Sequence, residues 1–492
     1  MASITASQIP SEIRVIPETL EKAGFEAYLV GGCVRDLLLG HKPKDWDVTT
    51  NAKPADIQAC FENTFYENEY GTVGVVNEEA SDETLKVVEV TPYRTEGAYS
   101  DARRPDSVSF GESLEEDLKR RDFTINAFAY SASKGELIDL YDGEKDLKER
   151  VIRTVGKPAD RFSEDALRML RAVRLSAELG FTIEPETEKA IAESVDLLAK
   201  ISKERVRDEF CRILLADKPM EAIGLMHKVG LLRYVLPDLE RGRGVKQNQA
   251  HKYDVWEHNL RTLQHAADKQ WTLELRLAAL LHDISKPETR RYSDEKKDWT
   301  FHGHDVVGGR LSKKILADLK FPKKTAEKIS SLVRWHMFFS DPDQITLSAV
   351  RRTIKNIGQE NIDDLLNLRI CDRIGTGRPK EQPFRFRKYK SMVEEALRDP
   401  ISVTMLALDG AKLMELLQEK PGPRIGWILH ALLEEVLEDP GKNTVETLSE
   451  SAQQLARLPD AKLRELGEKG KEKKEATEEE KVKEIRGKYW VS

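Results

Sequence analysis

Two aspartates lie two residues apart in the segment KDWDV, as Asp45 and Asp47, and a third acid, Glu89, lies in the apolar run LKVVEV. Alternate residues of a β-strand point to the same face, so a strand here would carry a carboxylate pair. Carboxylate oxygens suit Mg²⁺, and two such ions can activate a hydroxyl group and neutralise a triphosphate. Glu89 is a third candidate, because a carboxylate inside an apolar strand is costly unless it has a partner. The same spacing is also compatible with a solvated strand end.

A glycine pair, Gly31 and Gly32, precedes these acids in the segment AYLVGGCVRDLLLG. The apolar residues before the pair predict a strand, and the residues after it predict a helix. Such a turn brings backbone N–H groups and a helix N-terminus close to where phosphates could bind. Taken alone, two glycines before a helix are more often a simple tight turn.

The segment EDALRMLRAVR places an acid beside arginines that recur every third residue: Asp165, Arg168, Arg171 and Arg174. On a helix these arginines form a slanting basic ridge that begins near Asp165. A carboxylate accepts and a guanidinium donates, so Asp165 and Arg168 could pair with the amino group and ring acceptor of cytosine or adenine. Guanine and uracil present a carbonyl to the carboxylate and would be rejected. In the base-selecting arrangement, Glu164 could orient Arg168. The alternative is an ordinary solvated helix face with Asp–Arg pairs.

Histidines and aspartates recur in the later segments HKYDVWEH, LLHDISKP, FHGHD, VRWH and ICDR. The candidate metal ligands are His258, His282, Asp283, His304, His336 and Asp372. Imidazole and carboxylate groups that converge from separate helices can bind one or two transition-metal ions. Lys286 could add a positive charge near a phosphate. A lone histidine is usually structural, but the adjacent pair His282-Asp283 flanked by further histidines favours a metal site.

The elements that must hold these residues change along the chain. Strand patterns occur in AYLVGG, DWDVTT, LKVVEVTPY and NAFAY, all within about the first 155 residues. From about Ser163 onward, apolar residues recur with helical spacing and strand signals become rare. The sequence therefore predicts an α+β unit followed by a helical remainder. The last residues, GEKGKEKKEATEEEKVKEIRGK, are almost wholly charged, and we expect a solvated helix or a disordered tail.

Composition narrows the class of protein. The formal net charge of −7 argues against coating nucleic acid by bulk electrostatics, so any such contact must be local. We find no apolar run long enough to cross a bilayer and no secretory signal at the start, which favours the cytoplasm. The four cysteines form no CxxC pair, so we expect neither disulfides nor a cysteine zinc site.

Four motifs in order, GGCVRDLLLG, KDWDV, RRDFTINAF and EDALRMLRAVR, resemble the bacterial class II tRNA nucleotidyltransferase and poly(A) polymerase family, which includes HD-domain-containing CCA-adding enzymes. The resemblance continues through KPGPRIG and covers about residues 24–450. It implies an α+β fold with a small polymerase-β-like head followed by an all-α neck, an HD body and a tail. The expected domains are 1–155 for the nucleotidyltransferase head, 156–245 for the helical neck and RNA-binding domain, 246–376 for the HD domain, 377–450 for the helical body and tail, and 451–492 for a charged C-terminal extension.

The resemblance also implies roles. Asp45, Asp47 and Glu89 would be catalytic, with Mg²⁺ held by the two aspartates. The implied nucleotide-binding residues are Gly32, Arg35, Arg121, Asp122, Asn126, Asp165, Arg168, Arg171 and Arg174. Of these, Gly32 and Arg35 would contact phosphates, and Asp165 and Arg168 would select the base. A polar loop with Arg103 and Arg104 near its centre resembles loops that help the switch from C to A addition.

The later histidine set resembles the HD phosphohydrolase domain, either as a metal-binding centre or as a retained scaffold. The expected function is addition of C, C and A to the 3′ end of tRNA from CTP and ATP, with no membrane and no implied protein partner. Alternatives are addition of the terminal A alone, or polyadenylation, which is disfavoured because NEYGTVGVV lacks the basic pattern of poly(A) polymerases. HD phosphohydrolysis is a further candidate, as a second activity or the main one. A tRNA chaperone with an inactive head is disfavoured because Asp45 and Asp47 are both intact.

Overall fold

The computed structural model describes residues 4–66, 71–96, 108–110, 113–338, 345–398 and 402–491. The chain forms two compact units, Met1–His336 with Asn367–Pro379 and Met337–Leu366 with Lys380–Ser492. Arg103 and Arg104, near the centre of the predicted loop, lie outside the described residues, as do residues 68–70 of NEYGTVGVV. Among the described helices, none has the length and apolar character that a membrane span requires.

The first unit begins with short strands that confirm the predicted α+β head. They are β1 Ala27–Val30, β2 Asp47–Thr50, β3 Thr64–Tyr66, β4 Val73–Val76, β5 Val87–Pro92, β6 Arg94–Glu96, β7 Val108–Phe110, β8 Phe128–Ser131, β9 Glu136–Asp139, β10 Val151–Ile152 and β11 Thr182–Ile183. Seven of them form one mixed sheet in the order β3-β4-β5-β2-β1-β8-β9. In this sheet β2 and β5 run parallel and the other neighbours run antiparallel.

The helices of the head pack their apolar residues on this sheet. They are α1 Ser11–Lys22, α2 Gly32–Leu38, α3 Pro54–Cys60, α4 Leu114–Lys119 and α5 Gly143–Glu149. Ile13, Ile16 and Leu20 of α1 recur with helical spacing and are buried, as that amphipathic pattern requires. Leu118 of α4 packs with Val30 and Ala129 of two neighbouring strands. The sheet is thereby fixed at the end of β1, next to the glycine turn.

The rest of the first unit is almost entirely helical, as the apolar spacing predicts. Its helices are α6 Pro158–Glu164, α7 Leu167–Leu179, α8 Pro185–Ser194, α9 Lys203–Leu215, α10 Pro219–Lys228, α11 Leu232–Val235, α12 Pro237–Glu240, α13 Val255–Asp268, α14 Leu273–Leu281, α15 Lys286–Thr289, α16 His304–Asp318 and α17 Lys323–Trp335. A hairpin of β12 Arg291–Ser293 and β13 Asp298–Thr300 precedes α16. The segment EDALRMLRAVR is not one helix, because α6 ends at Glu164 and α7 begins at Leu167. Asp165 therefore lies in extended backbone at the junction.

The second unit is also helical. The remaining helices are α18 Leu347–Ile357, α19 Ile362–Gly375, α20 Phe384–Leu397, α21 Gly410–Leu417, α22 Pro423–Glu438, α23 Val445–Leu455 and α24 Asp460–Lys488. Helix α19 is divided between the units: residues 362–366 belong to the second unit and residues 367–375 to the first. Leu413, Ile428, Leu432, Leu448 and Leu463 are fully buried together in its core.

Of the two expectations for the charged C-terminal residues, the solvated helix is confirmed, because they belong to α24 and most of them are not buried, but this helix also packs on α22 near its beginning. Its first turn supplies Leu463 to the core, and Gly467 and Gly470 lie directly against α22. A Cβ on Gly467 would lie 2.7 Å from the Cα of Trp427, and one on Gly470 would lie 2.2 Å from the carbonyl oxygen of His430. Real Cβ atoms do not approach backbone atoms so closely, so glycine allows these two helices to touch. The composition of the segment hid this contact because glycines contribute no apolar side chain.

We predict that Gly470→Ala destabilises the second unit by about 1–3 kcal/mol, the usual cost of inserting a methyl group into a closely packed contact. Gly487→Ala in the same helix is the matched control, because a Cβ there has no neighbour within 4 Å. That control should be neutral or stabilising, since alanine favours a helix over glycine. Thermal unfolding of the full chain, with hydrogen exchange followed over α22 and α24, measures both. Equal stability of the two variants would contradict the proposed contact.

Candidate functional site

Asp47 and Glu89 are register partners on the parallel strands β2 and β5. Register partners project from the same face of a sheet, so their carboxylates lie side by side. Val48, Val88 and Val90 point to the opposite face and are buried, whereas Glu89 is exposed and Asp47 is half-buried. The apolar neighbours of Glu89 suggested a carboxylate inside an apolar core, which would be costly. Because Glu89 is exposed, it does not carry that cost. It belongs to an open acidic face that also carries Asp47.

Asp45 lies ahead of β2, in a bend, and its side chain is exposed. The prediction that Asp45 and Asp47 share a strand is therefore wrong. The antiparallel partner strand β1 ends at Val30, the register partner of Asp47, because the chain turns at Gly31 with a φ of +77°. Strand pairing with β1 thus stops at Asp47, and Asp45 approaches the acidic face from the loop.

The glycine turn brings a cation to this acidic face. A Cβ on Gly31 would lie 2.9 Å from Nη1 of Arg121 and 3.4 Å from Oδ2 of Asp47, so both side chains close over the bare backbone. Arg121 is held from behind by Asp117, to which its Nη2 donates at 3.3 Å. A Cβ on Gly32 would lie 3.5 Å from Nη2 of Arg35. The turn therefore carries two guanidinium groups beside the carboxylates, an arrangement suited to a metal-bound polyphosphate.

A chain of hydrogen bonds connects the turn to the helices after the head. Nη1 of Arg35 donates to Oδ1 of Asn126 at 2.7 Å, and Nδ2 of Asn126 donates to Oδ1 of Asp122 at 3.1 Å. Nε of Arg171 donates to Oδ2 of Asp122 at 2.8 Å. Burial alone would raise the pKa of Asp122, but the Arg171 guanidinium and the Asn126 amide hold it well below its usual range. The motif residues from separate segments therefore form one connected, charged network.

Asp165 and Arg168 contact different partners. Nη1 of Arg168 donates to Oε2 of Glu164 at 2.5 Å, in agreement with the expected orienting role of that glutamate. Nη2 of Arg168 donates to the carbonyl of Arg120 at 3.0 Å, at the start of the RRDFTINAF motif. Asp165 accepts a hydrogen bond from the backbone of Leu167 and another from Arg205 of α9. The sequence analysis did not identify Arg205, which lies far along the chain from Asp165.

The predicted basic ridge on α7 is not a free cationic surface. Arg174 is buried, and its Nε and Nη1 donate to Glu209 at 2.6 Å and to Glu178 at 2.7 Å. Arg171 is paired with Asp122, as described above, and lies 4.0 Å from Glu209. Glu209 is a second residue that the motifs missed, although its i, i+4 spacing with Arg205 in KERVRDEF is a helix signal. Arg174 is thus buried within α7, whereas Asp165 and Arg168 lie at its beginning and are partly buried.

The histidine–aspartate cluster is brought together in the first unit by five helices and their ends. Two groups of three form, each with ligand atoms within 4.8 Å of one another: His258, His282 and Asp372, and Asp283, His304 and His336. All six predicted ligands are buried. Gly375 allows α19 to approach α13, because a Cβ there would lie 3.0 Å from the carbonyl of His258. The predicted set therefore converges completely.

Asp283 belongs to the second group and also faces the histidines of the first. Its Oδ2 is 3.1 Å from Nε2 of His258 and 3.2 Å from Nε2 of His282. Its Oδ1 is 3.3 Å from Nε2 of His304 and 3.7 Å from Nε2 of His336. One carboxylate thus contacts imidazoles of both groups, and Asp283 would help to hold a metal ion bound by either of them.

The orientation of three imidazoles is fixed by the backbone. Nδ1 of each donates to the carbonyl three residues earlier: His282 to Ala279 at 2.8 Å, His304 to Phe301 at 2.7 Å and His336 to Val333 at 2.7 Å. Each Nε2 therefore directs its lone pair into the cluster, as a metal ligand must. Burial lowers the pKa of His304 to about 4, which keeps that ring neutral.

The donor atoms fit divalent cations. Nε2 of His258 and Nε2 of His282 lie 2.9 Å apart, so a proton or a metal cation has to separate them. Oδ1 of Asp283 and Nε2 of His304 are buried without a well-directed hydrogen bond, whereas Oδ2 of Asp283 has an ammonium beside it. Lys286 pairs with Asp283 and donates to Gln247 at 2.6 Å. Buried acceptors of this kind are costly unless a cation occupies the cluster.

Models of three domain families match successive parts of the chain. The poly A polymerase head domain matches residues 27–153, the probable RNA and SrmB-binding site of polymerase A matches residues 180–242, and the HD domain matches residues 255–373. The first covers the acidic face and glycine turn, and the third covers all six residues of the histidine–aspartate cluster. These families imply use of divalent metal ions.

The proteins and solved structures that this chain is similar to include several CCA-adding enzymes. A CCA-adding enzyme of Lactiplantibacillus plantarum is 34% identical over 457 residues, which cover 92% of this chain and 98% of that protein. A CCA-adding enzyme of Leuconostoc mesenteroides is 44% identical over 268 residues, covering 52% of this chain and 65% of that protein. The crystal structure of the Bacillus stearothermophilus CCA-adding enzyme in complex with CTP matches with a TM-score of 0.59 and 28% identity, covering 91% of this chain and 98% of that chain. With its motifs, its domain order and a relative aligned over nearly the whole length, this chain belongs to the family of CCA-adding enzymes.

Proposed function

We propose that this chain adds C, C and A in turn to the 3′ end of tRNA, using CTP and ATP, Mg²⁺ and no nucleic-acid template. The observation that carries the proposal is the pairing of Asp47 with Glu89 on an open face, beside the turn that holds Arg121. The relatives named CCA-adding enzymes support the reaction, and the solved relative bound to CTP supports that substrate. The proposed tRNA substrate also favours the cytoplasm as the place of action.

The oxygen donors of Asp45, Asp47 and Glu89 fit Mg²⁺, which prefers hard ligands. When bound there, Mg²⁺ would lower the charge of the triphosphate and acidify the terminal 3′-hydroxyl. In the transfer, the 3′-oxygen bonds to the α-phosphorus, the bond from the α-phosphorus to the bridging oxygen breaks so that pyrophosphate leaves, and the hydroxyl proton passes to solvent. Arg35 and Arg121 lie beside the turn, where their guanidinium groups can bind the phosphate oxygens. Their partners Asp36 and Asp117 hold them in place before substrate arrives.

We assign base selection to Asp165 and Arg168, as the sequence predicts. Each is held by its own hydrogen bonds and each retains polar capacity toward the space beside α7. Arg168 is held to the RRDFTINAF motif by the carbonyl of Arg120, and Asp122 of the same motif is hydrogen-bonded through Asn126 to Arg35, on the triphosphate side. A base that misfits Arg168 would therefore meet a guanidinium held by preorganised contacts rather than a loose side chain. Residues 156–245, which overlap the matched RNA-binding model, form the proposed neck that contacts tRNA.

We predict that the purified chain adds C, C and A to tRNA ending at the discriminator base, A alone to tRNA ending in CC, and nothing to complete tRNA. Asp47→Asn should abolish these additions, because it removes a charged metal ligand while keeping size and hydrogen-bonding capacity. Primer extension with each NTP supplied separately measures the products. Addition of A alone to every tRNA would identify an A-adding enzyme, and long A tracts would identify a poly(A) polymerase.

Gel-shift affinity for tRNA and the melting temperature are the controls for Asp47→Asn. Asp56→Asn is a matched substitution, because Asp56 lies in the first turn of α3, where its carboxylate accepts from the backbone of Lys53, and belongs to none of the four motifs. It should leave addition unchanged. Full activity of Asp47→Asn would contradict the assignment of the metal site.

We propose metal-dependent phosphohydrolysis by the histidine–aspartate cluster as a second activity. The observation that favours it is the buried Asp283 carboxylate, which belongs to one group of three ligands and also contacts histidines of the other. Imidazole nitrogen suits transition metals better than Mg²⁺, so the two centres should differ in metal. Lys286 and the partly buried His251 lie at the cluster, where a cation and a further imidazole could contact a phosphate ester.

We predict that His282→Ala with Asp283→Ala removes the bound transition metal and any phosphatase or cyclic phosphodiesterase activity, and spares Mg²⁺-dependent nucleotide addition. The reason is that the acidic face needs no imidazole. Metal analysis of the purified protein, phosphate release and primer extension are the three measurements. A thermal melt controls for loss of structure, because removal of a metal from buried ligands can loosen a domain. A well-folded double variant that loses nucleotide addition, from a wild type without bound metal, would assign these residues to RNA binding instead.

A further inference from the structure

Arg205 of α9 forms an ion pair with the carboxylate of Asp165. Its Nη2 donates to Oδ2 of Asp165 at 2.7 Å, and its Nη1 approaches Oδ1 at 3.4 Å. Two parallel contacts between a guanidinium and a carboxylate fix the plane of the carboxylate as well as its position. The side chain of Asp165 is 19% exposed, so this pair lies at the edge of the solvent rather than deep in a core. Arg205 belongs to none of the four motifs.

The remaining contact of Asp165 is local. Its Oδ1 accepts the backbone N–H of Leu167 at 3.0 Å, at the first residue of α7. A carboxylate offers about four acceptor sites, so these contacts leave acceptor capacity on Oδ2 for one further donor. Without Arg205, the carboxylate would be held only by the Leu167 bond and could rotate about it. The direction in which Oδ2 offers its last lone pair therefore depends on Arg205.

Arg168 is held independently of α9. Glu164 and the carbonyls of Arg161 and Arg120 accept its hydrogen bonds. Removal of Arg205 would thus release Asp165, which accepts hydrogen bonds from the base, and leave Arg168, which donates them, in place. A base-reading pair works only if donor and acceptor keep a fixed relation, because discrimination comes from the mismatch of one carbonyl with one carboxylate.

A second contact on the same face of α9 keeps Arg205 in reach. Glu209, one turn further along, accepts from Arg174 of α7 at 2.6 Å. Helix α9 therefore pairs with α7 twice. Arg205 pairs with Asp165 just before α7, and Glu209 pairs with Arg174 within it. These opposite charges allow one relative placement of the two helices and oppose a slide by one turn.

We propose that Arg205 is a positioning residue for nucleotide selection, which orients Asp165 so that it accepts C and A and rejects G and U. This inference rests on the proposed function of the head and names a residue through which its specificity is set. Arg205 contacts no substrate in this proposal. Its effect passes through the carboxylate of Asp165, and nucleotide choice should therefore change more than overall turnover.

The test is primer extension by the full chain with CTP, ATP, UTP and GTP on tRNA ending at the discriminator base or in CC. Arg205→Ala should lower the ratio of kcat/KM for CTP over UTP, and for ATP over GTP, about tenfold, the scale of one lost charged hydrogen bond. Affinity for tRNA should not change. Arg205→Lys should recover part of the ratio, because one ammonium can hold Oδ2 but cannot fix the plane.

Arg212→Ala is the matched control, from the same helix. Arg212 is half exposed and pairs with Glu178 at 3.4 Å, away from Asp165. It should leave the nucleotide ratios unchanged. In an Asp165→Ala background, Arg205→Ala should cause no further loss of selectivity, because residues that act through one another are not additive.

Nucleotide ratios of Arg205→Ala that equal those of Arg212→Ala would overturn the inference, as would additive losses in the double variant. If Arg205→Ala melts at a much lower temperature, Arg205→Lys and its combination with Asp165→Ala carry the same test. Wild-type protein that adds neither C nor A would refute the proposed function itself. Wild-type addition with normal selectivity in the Arg205 variants would refute only the role of Arg205.

Discussion

The parallel pairing of β2 with β5 is the constraint on which the head depends. In a sheet that is otherwise antiparallel, this pair places Asp47 directly beside Glu89 and directs their buried neighbours to the other face. β1 then ends opposite Asp47, where Gly31 turns the chain. The bare backbone of that turn admits Arg121 next to Asp47. Strand order, one glycine and one arginine thus concentrate opposite charges on one face of the central strands, next to the end of β1.

Charge pairing extends the same principle into the helices. A buried ion is costly unless its partners are in place, so Asp122, Arg171, Arg174 and Glu209 must be ordered together. The depressed pKa of Asp122 reflects the strength of that pairing against burial. Such a network contributes geometry more than stability, because desolvation offsets much of the attraction between the charges. Its consequence is a rigid frame next to Asp165 and Arg168, the residues proposed to select the nucleotide.

Features that depend on local sequence pattern and on motif spacing could be predicted from the sequence. Strands β1, β2, β5 and β8, the helical remainder and the complete histidine–aspartate set follow from periodicity and from residue types that converge. The start of β2 could not be predicted, because it depends on where the neighbouring strand ends rather than on the residues Asp45 to Asp47. The partners Arg205 and Glu209 were missed for a similar reason, since contacts between α7 and α9 join distant segments. The packing of α24 was missed because glycines give no apolar signal.

The two metal-binding regions divide the chemistry by ligand type and by burial. The acidic face offers carboxylate oxygens on an open sheet, where an ion with several waters can enter together with a nucleotide. The histidine–aspartate cluster offers imidazole nitrogens fixed by backbone carbonyls and fully buried, which suits an ion that stays bound between reactions. An exchangeable ion fits a reaction in which each incoming triphosphate brings its own Mg²⁺. A resident ion fits hydrolysis, in which the metal must be in place before a phosphate ester arrives. The ligands of the acidic face therefore suit an exchangeable ion, and those of the histidine–aspartate cluster suit a resident one. One chain can carry both sites without competition for the same ion.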